Sequence, residues 1–363
     1  MKFGVQKTYH NPKLDYFVDE MVKEFHRAEH ETVHIKDELN FVMNVTDIQA
    51  PKSYKRKHQQ EMVITIVLLD EQVADIKNAC FAALVRSLSN MVLAVHPAER
   101  DIKNSDVYYI TPEAGFVSLP FDTKRIYQCI LPVISSHFVL RNKIDVDLPE
   151  SNLIKSSEIN ELVKYARRLG KLGHLPAPFP LEKYLDACLI RQLFRLYEMK
   201  GLSYGNLSVR STFPGFNGHS FWMTARGSDK ANLQKPGHDI LLVTGYDKDE
   251  QQMQVSVPPD YDPRVRVSVD AIEHFMIYSA FPGVGAIVHI HAWMKDIAST
   301  TQNYPCGTFE LARSVVEIIK SAPVPEQAVV GLKNHGLTIT GRSLTDIFSR
   351  IRGQLQTNVP MFE

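Results

Sequence analysis

Short apolar runs separated by polar, glycine- and proline-marked turns recur along the chain, and two spacings alternate in them. Leu39 to Val45 and Met62 to Leu69 are rich in β-branched and apolar residues, as strands are. Pro51 and a basic stretch lie between them. Val73 to Val95 reads as one long helix, Val107 to Ile110 as a strand, and Arg125 to Leu140 as a helical stretch after Gly115 to Phe121. This predicts a mixed α/β domain over residues 1–150, with Asp145 to Asn152, which holds Pro149, as the linker. Residues 151–363 open with two predicted helices. Ser157 to Leu169 starts at a serine cap and stops at Gly170, and Leu181 to Lys200 has helical spacing up to Gly201. Strands are then predicted at Asn206 to Ser211, Ser220 to Thr224, Ile240 to Gly245, Gln252 to Val257, Arg264 to Val269, Ala286 to His291 and Val329 to Leu332. Helices fall at Ala271 to Phe281 and Thr308 to Ser321. The alternation predicts one α/β domain with a mixed or mainly antiparallel sheet.

Composition narrows the function classes. The 363 residues allow two domains, each able to bury its own core. Lys plus Arg and Asp plus Glu both number 41, so no net field recruits nucleic acid or an anionic membrane. The basic cluster Lys52 to His58 reads as a solvated loop. Cys80, Cys129, Cys188 and Cys306 are widely spaced and form no CxxC pair, the pattern of reduced thiols. The N-terminus has no apolar signal core. Phe81 to Val95 is interrupted by Arg86 and Asn90 and is too short to span a bilayer. A cytoplasmic protein without nucleic-acid or membrane partners is expected.

The candidate chemistry is concentrated late in the chain. Gly285-Ala286-Ile287-Val288-His289-Ile290-His291 reads as a buried strand whose alternate residues share a face, so His289 and His291 can aim at one point. Lys333-Asn334-His335-Gly336 follows another apolar strand and supplies a third imidazole. Asp270, just ahead of the helix before the His-x-His strand, places a carboxylate within reach. Three histidines and a carboxylate, with a position left for water or substrate, are the composition of a catalytic metal site. His26 to His30 also matches an HxxEH pattern, with His34 continuing the spacing, but a polar amphipathic helix explains it without a metal. His274 reads as a packed, hydrogen-bonded histidine.

These motifs resemble the class II aldolase and adducin family. Val267-Ser268-Val269-Asp270, through His274 and Tyr278 to Pro282, up to His289-Ile290-His291, is similar to the signature of class II aldolases and ribulose-phosphate 4-epimerases. Gly205 to Arg210 resembles the family's GN-(V/L)-S-x-R strand, Thr224-Ala225-Arg226-Gly227 its T-P-S-G turn, and Asn334-His335-Gly336 its third-ligand motif. The motifs keep the family's order over roughly residues 155–345. The resemblance implies a class II aldolase-like α/β/α layered domain preceded by a separate mixed α/β domain. It also implies a divalent ion on His289, His291 and His335, zinc first, with manganese or iron as alternatives. Such an ion polarises the carbonyl and hydroxyl oxygens of a small keto-sugar. Asp270 takes the carboxylate position, and Gly205, Asn206, Thr224, Arg226, Gly227 and Ser268 fall where the family holds a substrate phosphate.

The chain departs from the pattern in three places. The turn reads Thr-Ala-Arg-Gly, and Val269 replaces a serine. A lost hydroxyl and a gained guanidinium imply a different anion, such as a carboxylate held by the fork of Arg226; a surface turn residue is the alternative. After the His-x-His strand the chain reads Gln302-Asn303-Tyr304, without the epimerases' acidic residue. The segment after His335 is shorter than the family tail that carries a catalytic tyrosine. A proton donor is therefore expected from Tyr304, a neighbouring subunit or the N-terminal domain. The reading is a metal-dependent lyase acting on a small anionic carbonyl compound, assembled as a homo-oligomer, with a tetramer expected from the resemblance. Its rivals are a non-catalytic adducin-like scaffold, and an iron- or manganese-dependent redox enzyme on the same fold.

Overall fold

A computed structural model describes residues 1–58, 60–70, 73–99, 101–112, 115–149, 156–173, 186–188, 190–191, 204–211 and 217–361. Two compact units are present, one built on Met1–Ser136 and the other beginning at His137. Among the described residues the strands form two sheets, one of seven and one of eight.

In the first unit, β1 (Lys2–Lys7), β2 (Glu31–Thr32), β3 (Phe41–Val45), β4 (Met62–Leu68), β5 (Met91–His96), β6 (Asp106–Thr111) and β7 (Gly115–Pro120) lie in the order β2-β1-β3-β4-β5-β6-β7. Pairing is parallel as far as β5 and antiparallel beyond it. The parallel strands β3 and β4 are buried along their whole length, which is why their sequences run apolar without alternating. Helix α1 (Pro12–Arg27) begins with Asn11, whose side chain accepts from the Lys13 backbone N–H, and with Pro12 in its first turn. Leu14, Phe17, Val18, Met21 and Phe25 form its buried stripe. The helix ends at Arg27 and Glu29 has φ 60°, so the HxxEH pattern does not lie on one helix. His26 Nε2 lies 2.7 Å from Thr32 Oγ1 while His30 Nε2 lies 3.1 Å from the Tyr127 hydroxyl.

The long helix expected over Val73 to Val95 is instead helix α2 (Ile76–Arg86) followed by strand β5. Ser87 Oγ donates back to the Ala83 carbonyl at 2.6 Å, and Leu88 takes a left-handed φ of 54°. Asn90 Oδ1 then accepts from the Val63 N–H at 2.8 Å, which aligns Met91 beside β4. An apolar run of this length fits either element, and local turn chemistry decided it. The helical stretch expected at Arg125 to Leu140 is the shorter α3 (Thr123–Ile134), capped by Asp122, which accepts from Lys124 N and Arg125 N.

The second sheet has the order β14-β15-β13-β9-β10-β11-β12-β8, with β8 (Arg141–Asp145), β9 (Asn206–Arg210), β10 (Phe221–Thr224), β11 (Ile240–Asp247), β12 (Gln252–Ser256), β13 (Ala286–Ile290), β14 (Val329–Leu332) and β15 (Gly336–Gly341). Every pairing is antiparallel except β12–β8. Helices α5 (Ala271–Ala280) and α6 (Phe309–Lys320) bury Ile272, Ile277, Leu311 and Val315 against one face. On the other face α4 (Ser157–Lys171) and α7 (Leu344–Arg350) bury Leu162, Leu169, Ile347 and Phe348. This is the expected α/β/α layering with a mixed, mainly antiparallel sheet. Arg264 to Val269 is not a strand: the chain turns at Asp262, and only Val267 bridges to Ala225. The helix expected at Leu181 to Lys200 lies largely outside the described residues. No described helix is long and apolar enough to cross a membrane.

Candidate metal centre

Strand β13 alternates as its sequence requires. Ala286, Val288 and Ile290 enter the α4/α7 core, whereas Ile287 points to the α5/α6 side, which puts His289 and His291 on that side too. His335 arrives from the turn between β14 and β15. Asn334 there has φ 58°, a conformation asparagine tolerates, and a Cβ on Gly336 would lie 2.3 Å from the Ile290 carbonyl oxygen. The Asn-His-Gly motif therefore has a local reason: asparagine makes the turn, and glycine lets β15 close against β13. Likewise Gly205 (φ 73°) brings the start of β9 against the His289 carbonyl, 2.7 Å from where a Cβ would stand.

One ligand nitrogen from each of His289, His291 and His335 lies within 4.8 Å of the others. His291 Nε2 and His335 Nε2 are 3.1 Å apart. Two nitrogens on one tetrahedral zinc at about 2.0–2.1 Å would stand about 3.4 Å apart. His289 Nδ1 donates to the Leu337 carbonyl at 3.1 Å, so its lone pair is on Nε2. That Nε2 is buried and has no hydrogen-bond partner. A buried imidazole lone pair held without a donor fits a metal ligand. Burial lowers the pKa of His289, and lowers His335 further with help from its two neighbours, so both are neutral, as ligation requires.

Around them runs a polar seam between α5 and the sheet. Asp270, at the helix start and making no capping bond, is buried and accepts from Asn206 Nδ2 at 2.6 Å. Ser208 Oγ lies 2.7 Å from His274 Nδ1 and 2.8 Å from the Tyr278 hydroxyl. Thr338 Oγ1 donates to Glu273 Oε1 at 2.5 Å. Asp270, Glu273 and His274 are spaced to share one helix face, a signal present in the sequence that includes Glu273 as well as the expected Asp270 and the packed His274. Two further residues had no such signal. Lys230, in a polar stretch, is 2 % exposed, and burial lowers its ammonium to about 8 against the pull of Asp270 and Asp229. Cys306 Sγ lies 3.2 Å from His335 Nε2.

The other expected site residues take separate places. Thr224 Oγ1 accepts from the Leu207 N–H at 3.4 Å, inside the sheet. Arg226 is half-buried and its Nη2 donates to the Leu140 carbonyl at 3.3 Å. Gly227 has φ 63° in the same turn. The Ser268 carbonyl accepts from Ala271 N at 3.1 Å, leading into α5. Tyr304 packs against the apolar cluster under α5 and α6.

Glu273 gives the seam a pH signature. Burial, with Asp270 adding to it, raises its carboxyl from 4.5 to about 8. The native protein holds a proton there that the unfolded chain releases. That stability is fully present below pH about 4.5 and is lost as pH rises to about 8. Thermal melts across this window should show wild type losing stability with rising pH, and Glu273→Gln losing less. Parallel curves would count against the assignment.

Residues 186–299 match the model of the class II aldolase and adducin N-terminal domain. The match covers less than a third of the chain. His335 and Cys306 lie beyond the matched residues. Methylthioribulose-1-phosphate dehydratases of Xanthomonas campestris pv. campestris, strains B100 and 8004, are 26% identical over 110 residues, 29% of this chain and 48% of theirs. The chain thus spans about half the length of these relatives. Among solved structures, YgbL of Klebsiella pneumoniae is 18% identical over 56% of this chain and 84% of its own, with a TM-score of 0.33. An aldolase II superfamily protein from Pseudomonas syringae is 16% identical over 55% and 73%, with a TM-score of 0.34.

Proposed function

We propose that the protein is a metal-dependent lyase of class II aldolase type, acting by dehydration, retro-aldol cleavage or decarboxylation on a small anionic carbonyl compound. The observation that carries this reading is the convergence of three imidazoles, one of them with a buried lone pair and no partner. His289, His291 and His335 hold the ion, zinc first, with manganese or iron as alternatives. Its contribution is Lewis-acid polarisation of substrate oxygens. Asp270, fixed by Asn206, acts as the base that takes the substrate proton. Gly205, Asn206, Thr224, Arg226, Gly227 and Ser268 are the residues proposed to meet the substrate anion, through the turn that carries Arg226 and Gly227. Tyr304 is proposed as the proton donor once it turns out of its apolar packing. The dehydratase relatives make dehydration of a phosphorylated ketose the first reaction to assay.

Zinc-loaded full-length protein should be offered 5-methylthioribulose 1-phosphate and a panel of small keto- and hydroxy-acids. Asp270→Asn is expected to lower turnover of the accepted compound by about 10²–10⁴-fold while zinc stays bound. A metal-loaded wild type that turns over nothing, or an Asp270→Asn variant as fast as wild type, would defeat this reading.

A further inference from the structure

Cys306 is not accounted for by the reading above. Its loop is fixed on both sides. The Val139 N–H donates to the Gly307 carbonyl at 2.8 Å, and Thr308 caps α6. A Cβ on Gly307 would lie 3.1 Å from Val269, the residue before Asp270. This places the half-buried thiol beside the histidines: Sγ is 3.2 Å from His335 Nε2 and 3.6 Å from its Nδ1. The sulfur, a His289 ring nitrogen and an Asp270 carboxylate oxygen also lie within 4.8 Å of one another. His289 Nε2 is buried and unpartnered in this same space.

We infer that Cys306 is a fourth, displaceable ligand of the metal held by His289, His291 and His335, occupying the coordination place a substrate oxygen must take. This rests on the metal-centre reading above. A thiolate sulfur at about 2.3 Å from zinc and an imidazole nitrogen at about 2.0–2.1 Å stand about 3.5 Å apart around a tetrahedral ion, which the 4.8 Å grouping of the sulfur with the His289 nitrogen can accommodate. Against His335 the sulfur now lies beside the ring, so that imidazole must turn for both to reach one ion. Closed four-ligand sets are the form of structural zinc sites, and catalytic sites keep one place open. Here three imidazoles and a sulfur close the set at rest. On binding, the thiol would lose its proton to solvent; when a substrate oxygen displaces the sulfur, the thiolate would take a proton back from solvent. Asp270, engaged by Asn206, is left as the base instead of a ligand. A soft sulfur also biases the site toward zinc over manganese.

The test uses full-length protein stripped of metal and titrated with cobalt(II) chloride. Wild type should develop the visible bands of four-coordinate cobalt together with a near-ultraviolet sulfur-to-cobalt charge-transfer band. Cys306→Ser and Cys306→Ala should keep cobalt and lose the charge-transfer band. In chelator competition Cys306→Ala should bind zinc more weakly by about 10–100-fold, at least what loss of an outer-sphere partner costs. A second measurement needs no variant: in wild type, zinc should protect Cys306 from iodoacetamide, read by peptide mass spectrometry, while the exposed Cys188 is alkylated equally with or without zinc. Cobalt bound without the charge-transfer band, or Cys306 alkylated equally fast with and without zinc, overturns the inference and leaves the three-histidine site standing. Failure to take up cobalt at all overturns both.

Discussion

Protein carrying His289→Ala and His291→Ala together is expected to purify without metal, where wild type holds about one divalent ion per chain. Both imidazoles come from the end of β13, two positions apart, so the double change removes two of the three nitrogen ligands and leaves His335 as the remaining imidazole. One imidazole, even with the Cys306 thiolate beside it, cannot hold a divalent ion at stoichiometry against a chelator. The change also strips the Leu337 carbonyl of its donor, a loss of about 1 kcal/mol that a folded domain with this core tolerates. Elemental analysis beside a circular dichroism spectrum separates loss of metal from loss of fold. Stoichiometric metal in a folded double variant would remove the metal centre from these residues.

Gly336→Ala is expected to do similar damage without touching a ligand. The new methyl would stand 2.3 Å from the Ile290 carbonyl oxygen and 3.1 Å from His291 Cα, both backbone atoms of the ligand strand. Neither can rotate away as a side-chain tip could. Strand β15 must move off β13, which separates His335 from His289 and His291. Overpacking of this kind costs about 1–3 kcal/mol. Zinc affinity, measured by chelator competition, should fall together with the melting temperature. A Gly336→Ala protein that binds zinc as wild type does would show that the hairpin is free to shift, and that the glycine is there for another reason.

The convergence of the three histidines was legible because its parts obey local rules. The two-residue period of β13 puts His289 and His291 on one side, and the Asn-His-Gly turn follows from a left-handed residue and a close strand approach. Asp270 was legible as the residue ahead of a helix. Lys230 was not, because a lysine in the polar stretch after Gly227 reads as solvated, and only the tertiary fold buries it. Cys306 was not, because a cysteine without a paired partner carries no spacing to read. In the first unit the apolar run through Val73 to Val95 satisfied both helix and strand templates. The break lay in Ser87 to Asn90, whose side-chain bonds to backbone become visible only once the neighbouring strand is in place. Strand β8 was missed for a related reason: Arg-Asn-Lys-Ile-Asp has one apolar residue, and it is a strand because β12 pairs with it.

That pairing decides how the chain can be divided. The matched segment 186–299 contains β9 to β13, the middle five strands of the second sheet, and omits β8 at one end and β15 with β14 at the other. Cutting there would bare the backbone donors and acceptors of β12 and of β13 together. A cut at residue 151 would still uncover β12. Two such open edges are templates for pairing with another chain, so a piece trimmed to the family boundaries would be driven toward self-association by hydrogen-bonding groups that the longer chain keeps occupied. For this domain, solubility of a fragment depends on carrying Arg141–Asp145, a segment more than forty residues upstream of the matched segment.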